Sequence, residues 1–228
     1  MQLRALPILF AAVGLLLSSC GEEAEGDPKE IVEAATEAMS AIDSVHFLLD
    51  MGEFGLEILS GMTASRFDGE AVRPDRVQAA VRVTVSGISL TVDYRAIGDA
   101  QYVTNPLDRR AWQTLRGPPV AKSLLDPSDG VTAVLSRLTD LELVSLESAA
   151  GVKAHHITAL IPNSDVAEFF GSPPADGVTT VELWIGTQDS LVRKLVLTGP
   201  SLQGDPPDTQ RTIELSKYDE PVSIVAPI

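Results

Sequence analysis

Cysteine is almost absent from this chain, since position 20 carries the one cysteine among 228 residues. A lone cysteine excludes an internal disulfide bond and any metal site built from several thiolates. Basic residues are scarce too, because 17 Lys and Arg stand against 32 Asp and Glu, for a formal charge of -15. So acidic a surface argues against nucleic acid and against electrostatic docking on anionic lipid. We therefore expect no nucleic-acid partner.

Motifs that mark common enzyme classes are also missing. The chain has no glycine-rich phosphate loop, no Gly-x-Ser-x-Gly elbow, no His-Glu-x-x-His helix and no Cys/His pair. His155 and His156 are adjacent, so in a strand their side chains point to opposite faces and cannot bind one metal ion together. We expect no enzyme activity, no metal and no cofactor. A hydrolase, the alternative, would need polar groups clustered at a pocket mouth with shifted pKa values.

No apolar run reaches the length of about 20 residues that a membrane-spanning helix needs. The segment Ala5–Leu17 is shorter and follows Arg4, which is the pattern of an export signal. It ends in Leu17-Ser18-Ser19-Cys20, which resembles the lipobox of bacterial lipoproteins, where small residues precede an acylated cysteine. The resemblance implies a signal peptide over 1–19 and a Cys20 that carries acyl chains such as palmitate as a membrane anchor. The alternative is a plain secretory signal with an incidental cysteine.

Residues 20–27 are predicted to form a short acidic tether between the anchor and a folded body. Its acidic side chains would be repelled by anionic headgroups and would hold that body away from the membrane, although a plain solvated linker fits equally well. We expect residues 28–228 to form a single domain, because about 200 residues suit one domain with a real core. The expected location is the cell membrane, lipid-anchored and facing the periplasm or the outer side of the cytoplasmic membrane.

Three segments carry helical patterns. Asp27 is a good N-cap, and apolar residues then recur at helical spacing over the following turns. A second helix is predicted over Leu124–Asp140, with an inward apolar stripe that includes Val134 and Leu138. A third helix, of one or two turns, is predicted over Asn163–Phe170.

The stretch Val77–Ala96 predicts a β-hairpin that turns on Ser86-Gly87. A two-residue loop fixes the register, and alternation then places one set of cross-strand pairs on an apolar face. These apolar pairs are Val85/Ile88, Val83/Leu90, Val81/Val92, Ala79/Tyr94 and Val77/Ala96. A sheet with such a face must cover it with packed helices or with a hydrophobic ligand.

Further strands are predicted on both sides of this hairpin. In Ser44–Met51, Phe47 and Leu49 share one face by period-two spacing, and Leu183 lies in a later strand, Thr179–Gly186. One helix, a meander of strands and a few short helices predict an α+β fold with an antiparallel sheet. Because few helices must cover many strands, a shortfall would leave an apolar cavity, and several hundred cubic ångströms of it would favour a ligand pocket.

The order of these elements resembles the mycobacterial LppX/LprG family of lipoproteins over essentially the whole mature chain. The points of similarity are the lipobox and tether, Leu124–Pro127 before a helix, Leu183-Trp184-Ile185, Leu191-Val192-Arg193-Lys194, and Tyr218 before Pro221-Val222. The resemblance implies a highly curved antiparallel half-barrel, similar to the lipoprotein carrier LolA, with helices over its concave apolar face. It also implies an acylated lipid or glycolipid as ligand, carriage of that lipid within the cell envelope, a lipid exporter as a candidate partner, and no catalytic residues.

Strand parity and the helical stripes together predict the side chains that line a lipid cavity, with Phe169 and Phe170 on a segment that acts as a lid. The predicted lining residues are Phe47, Leu49, Val81, Val83, Leu90, Val92, Tyr94, Val134, Leu138, Phe169, Phe170 and Leu183. Each methylene moved out of water gains about 0.8 kcal/mol, so one long acyl chain gains on the order of 10 kcal/mol. The alternative hypothesis is an envelope interaction or sensor lipoprotein of the same fold, with a filled interior and no lipid cargo.

Overall fold

The structure is a computed structural model, and it describes residues 25–59, 61–116, 124–126, 130–170 and 173–227. The signal peptide predicted over 1–19, the predicted lipidation site Cys20 and most of the tether lie outside the described residues. Within the described ranges, no helix is both long enough and apolar enough to cross a membrane.

Three α-helices occur among the described residues: α1 (Pro28–Ser40), α2 (Val131–Ser136) and α3 (Asn163–Phe170). The N-cap of α1 is Asp27, as predicted, and its carboxylate accepts a hydrogen bond from the Lys29 backbone N–H at 2.9 Å. The bounds of α3 are the predicted ones. The first and third helical patterns therefore give the correct elements.

The second predicted helix is much shorter than Leu124–Asp140, so that prediction is wrong in its bounds. α2 has six residues and ends at Ser136, and Leu138 lies beyond it, partly buried against the core. Thr139 already belongs to the next strand and pairs with Leu160. The helical spacing of the leucines is real, but pairing with a long neighbouring strand outweighs the weak preference of a short segment for helix.

Twelve β-strands form the sheet within the described ranges. They are β1 (Ser44–Asp50), β2 (Leu56–Leu59), β3 (Met62–Val72), β4 (Arg76–Val85), β5 (Ile88–Ile97), β6 (Ala100–Asn105), β7 (Asp108–Leu115), β8 (Thr139–Ala149), β9 (Val152–Pro162), β10 (Val178–Gly186), β11 (Val192–Thr198) and β12 (Gln210–Ser216). Their order is β7-β6-β5-β4-β3-β1-β12-β11-β10-β9-β8, and β2 pairs with β3 off this path. All of these pairings are antiparallel.

The central strand β1 joins two meanders. It pairs with β3 on one side and with β12 on the other, so the earlier strands β3–β7 and the later strands β8–β12 extend in opposite directions from it. The outermost strands, β7 and β8, are not neighbours, and the curved sheet therefore stays open. This is the geometry of a half-barrel, which the family resemblance implied.

The register of the central hairpin is the predicted one throughout. Val83 pairs with Leu90, and Ser86-Gly87 forms the turn, where both residues have the positive φ that a tight two-residue hairpin loop requires. Alternation within β4 and β5 then sends one set of side chains to the interior, including Val81 and Val92. The hydrophobic pattern and the turn thus specify the same pairing.

The helices cover one face of the sheet, its concave face. α1 packs against α2, β8 and β10, and α3 packs against β9 and β10. Alternate side chains of the strands point to this side and join the helices in one large apolar cluster. The predicted α+β architecture, an antiparallel half-barrel with helices over its concave apolar face, is confirmed.

Candidate functional site

The predicted lining residues come together on the concave side. All of them belong to, or pack against, the one apolar cluster between sheet and helices. All except Leu90 and Leu138 are buried, and Phe47, Val83 and Leu183 are completely inaccessible. Whether these side chains line a lipid cavity stays a prediction.

An apolar pocket lies between α2, α3 and the strands β11 and β12. Its volume is about 10 Å³, close to the space of a single water molecule. The side chains that line it are all apolar: Val131, Val134, Val166, Phe169, Leu195, Leu197 and Ile213. This pocket by itself is far smaller than the several hundred cubic ångströms that we expected of a ligand site.

Only Val134 and Phe169 of the predicted lining residues border this pocket. The predicted set lacks the sheet side of the pocket, which comes from β11 and β12, where Leu195 pairs with Ile213 and both point inward. Period-two alternation along these two strands carries the signal that identifies them as inward residues. What alternation does not reveal is which part of a continuous apolar face lies under the short helices.

A buried arginine lies on the same face, next to two of the residues that line the pocket. Arg211 is the cross-strand partner of Leu197, lies two residues before Ile213, and is 1% exposed. Its guanidinium donates from Nη1 and Nη2 to the two carboxylate oxygens of Asp205 at 2.8 and 2.7 Å, and from Nη1 to the Ser201 hydroxyl at 2.8 Å. The guanidinium carbon lies 5.7 Å from the ring centre of Phe170, the last residue of α3.

The partner of this arginine is held ionised. Burial pushes the pKa of Asp205 upward, but hydrogen bonds from Arg211 and from the Leu202 backbone N–H outweigh it, so the pKa lies below its ordinary value. A buried ion pair is costly unless its geometry is good, and this pair is bidentate. It therefore holds the loop between β11 and β12 against the interior.

At the tip of the central hairpin, the helices no longer cover the concave face of the sheet. Val83 is fully buried, whereas its partner Leu90 is only partly buried. One pair nearer the turn, Val85 is partly buried and Ile88 is 62% exposed. These side chains form an apolar rim at the same end of the sheet as α3, because β4 ends and β10 begins there.

The two adjacent histidines lie on opposite faces of β9, as predicted. His155 borders a groove beside the start of α1, together with Asp27 and Gly186. Burial and the charge of Lys153 lower the pKa of His155. His156 stacks on Trp184 of the outer face, with ring centres 4.4 Å apart.

A polar cluster surrounds this outer-face stack. The nitrogens of His156 lie 2.9 Å from a Glu147 oxygen and 3.0 Å from a Glu182 oxygen, and the Trp184 indole N–H donates to Glu147 at 3.0 Å. Hydrogen bonds from Trp184, Ser145 and His156 lower the pKa of Glu147 to about 2. The cluster ties β8, β9 and β10 together, and among the described residues no group of His, Cys, Asp and Glu is arranged to hold a metal ion.

Comparison with known proteins agrees with the fold. LprF from Mycobacterium bovis superimposes with a TM-score of 0.68 at 16% identity, covering 88% of this chain and 96% of LprF. The lipoprotein LppX from Mycobacterium tuberculosis superimposes with a TM-score of 0.64 at 21% identity, covering 87% of this chain and 98% of LppX. No curated protein sequence matches. The model of the LppX_LprAFG lipoprotein family matches residues 27–224, and the chain therefore belongs to that family.

Proposed function

We propose that this protein is a membrane-anchored, exported lipoprotein that binds an acylated lipid or glycolipid and carries it within the cell envelope. The observation that carries the proposal is the wholly apolar pocket between the sheet and the two short helices, in a member of a lipoprotein family. An apolar lining offers an acyl chain a gain of about 0.8 kcal/mol per methylene and offers a polar substrate nothing.

A chain of fatty-acid length needs more room than the pocket provides as it stands. The room comes from displacement of α2 and α3, which have six and eight residues and form the outer wall. Short helices depend on tertiary packing for their stability, so they are the parts of the wall that yield at least cost. The apolar rim around Leu90 and Ile88 lies at the same end of the sheet and provides the entry surface.

Anchoring rests on Cys20. Acylation on its sulfur and its amine gives two or more chains, which suffice for stable attachment where a single chain does not. The acidic residues that follow hold the folded domain off an anionic bilayer. We expect Cys20→Ala, exported behind a general secretory leader in place of residues 1–19, to leave the membrane fraction, whereas the parent chain behind its own leader stays there. Retention of that variant in the membrane fraction would contradict the anchor.

Lipid binding is tested by extracting the purified protein. The Cys20→Ala chain is exported behind a general secretory leader in place of residues 1–19, purified without detergent, and extracted with organic solvent for mass spectrometry. We expect near-stoichiometric lipid in the parent protein and at least fivefold less in Val134→Trp, which fills the pocket. The matched control is Val144→Trp, at a half-exposed position of β8, which keeps its lipid. No lipid in repeated preparations of the parent overturns the proposal.

One observation favours the second candidate, an interaction or sensor lipoprotein without lipid cargo. The pocket between helices and sheet is nearly filled, which is what that function requires. The same extraction separates the two candidates, because a sensor carries no lipid and binds an envelope protein with equal affinity in the parent and in Val134→Trp.

A further inference from the structure

A single buried cation lies next to the apolar lining of the pocket. Arg211 shares its face of β12 with Ile213 and lies directly across from Leu197, and both of these neighbours line the pocket. Its guanidinium rests against Phe170, whose neighbour Phe169 lines the same pocket. An apolar cavity with a buried cation beside it matches the two parts of an acidic amphiphile.

The hydrogen bonds of Arg211 leave one edge of the guanidinium unused. The Asp205 carboxylate accepts hydrogen bonds from Nη1 and Nη2, and the Ser201 hydroxyl accepts a second hydrogen bond from Nη1. Nε is buried and, among the described residues, has no hydrogen-bond partner. The Nε edge of an arginine carries two parallel N–H groups, the arrangement that a carboxylate or phosphate accepts in bidentate fashion.

A structural ion pair that only closes the loop gains nothing from a buried, unpaired donor, since such a group destabilises the folded state. A second arginine provides the comparison. Arg193 pairs with Asp189 and also has a buried Nε without a partner among the described residues, but its guanidinium lies over the ring of Tyr218 and not over a residue of α3. The unpaired donor is thus shared by both arginines, and the position beside the lining residue Leu197 and the ring of Phe170 sets Arg211 apart.

We infer that the ligand of this pocket is an anionic amphiphile, with its acyl chain between α2, α3 and the sheet and its carboxylate or phosphate on the Nε edge of Arg211. The inference rests on the proposed function and narrows its ligand to acidic lipids. The Asp205 carboxylate and the ligand headgroup share the positive charge of the same guanidinium, so Asp205 limits the affinity for an anionic headgroup. Removing the charge of Asp205 while keeping Arg211 therefore strengthens binding.

Matched probes test the headgroup. Oleate and oleyl alcohol share one chain and differ in charge, and equilibrium dialysis of the Cys20→Ala protein at pH 7.5, below the micelle concentration, measures both affinities. We expect the protein to prefer oleate about tenfold or more, as a charge-assisted hydrogen-bonded pair provides. Asp205→Asn raises the oleate affinity severalfold, and Arg211→Met/Asp205→Asn, which leaves no unpaired charge behind, abolishes the preference.

Three controls keep the outcome decisive. Arg193→Met/Asp189→Asn removes the comparison pair and keeps the preference for oleate. Arg211→Lys retains the charge that Asp205 needs but lacks the Nε edge, so it loses the preference even if the double variant fails to fold. Acetate and inorganic phosphate at millimolar concentration leave bound oleate in place, whereas displacement by them would reveal a site for free anions and overturn the inference.

The negative outcomes of these experiments distinguish an error in the inferred headgroup from an error in the proposed lipid binding. Equal affinity for oleate and oleyl alcohol, or a preference that survives in both Arg211 variants, overturns the inference and leaves lipid binding intact. Failure of the parent protein to bind either probe overturns both.

Discussion

The Thr179 hydroxyl donates a hydrogen bond to the side-chain oxygen of Asn163 at 2.8 Å, and both residues are buried. Asn163 opens α3 and Thr179 lies near the start of β10, so this bond fixes one end of the proposed lid helix to the sheet. The Asn163 amide nitrogen also donates to the backbone oxygens of Asp176 and Pro200, each at 3.0 Å. A single side chain thereby joins α3, β10 and two loops.

We expect Asn163→Ala to lower the free energy of unfolding by about 2 kcal/mol, because it leaves buried partners without hydrogen bonds. Urea unfolding followed by circular dichroism measures the change. The matched control is Asn105→Ala, at an exposed turn where the side chain accepts one bond from the Leu107 backbone N–H, with a loss below about 1 kcal/mol. Equal losses in both variants would contradict the anchoring role of Asn163.

Phe47 lies in the central strand β1 and has no exposed surface. We expect Phe47→Ala to cost about 3–5 kcal/mol, the usual range when a buried phenylalanine leaves a cavity. Phe54→Ala removes the same group from a half-exposed position and changes the free energy of unfolding by about 0.5 kcal/mol or less. Chemical denaturation of both variants checks the pair, and comparable losses would place Phe47 outside the core.

Gly69 is a point of close backbone approach in the sheet. A Cβ atom at this position would lie 2.0 Å from the Gln78 carbonyl oxygen and 2.6 Å from the Ala79 Cα. We expect Gly69→Ala to destabilise the protein by roughly 2 kcal/mol or more, because backbone atoms cannot move aside. In Gly186→Ala the new atom meets the movable side chains of Asp189 and Arg193 instead, so its melting temperature falls less.

The ionisation of Glu147 makes part of the folding stability depend on pH. Its pKa falls from 4.5 to about 2 in the folded protein, chiefly through the hydrogen bond from Trp184. A carboxyl group with a lowered pKa stabilises the folded state above about pH 4.5, and this contribution is lost as the pH falls toward 2. We expect Trp184→Phe to raise the pKa of Glu147, as NMR titration would show, and to flatten the loss of stability over this pH range. An unchanged titration curve would contradict the role of the indole N–H.

The sequence was sufficient for the hairpin and insufficient for the second helix, for physical reasons. Between Val77 and Ala96 the alternation and the Ser86-Gly87 turn point to the same register, and local and global preferences agree. After Ser136 they conflict, since leucines at helical spacing are followed by residues that pair with β9. The pairing partner lies well beyond the segment itself, so no short-range pattern reveals the outcome.

The residues of the candidate site were also predictable only in part. Inward residues such as Phe47 and Leu183 follow from alternation alone and are buried. Arg211 lies on the same alternation as Ile213, but an arginine at an inward position has meaning only once Asp205 and Phe170 are known to lie beside it. Such contacts between distant segments are set by tertiary packing, which composition and periodicity do not contain.

The opposite ends of β10 bear on the orientation that the proposed anchor would give the domain. Near Gly186 the strand adjoins the residues that precede α1, and near Thr179 it adjoins α3. A strand of nine residues rises about 27 Å in all. Under the proposed anchoring at Cys20, the end of the sheet with α3 and Arg211 would point away from the bilayer, at a distance of that order. Transfer of a bound lipid to another membrane would then require that end of the domain to contact it, while the Cys20 anchor stays in its own membrane.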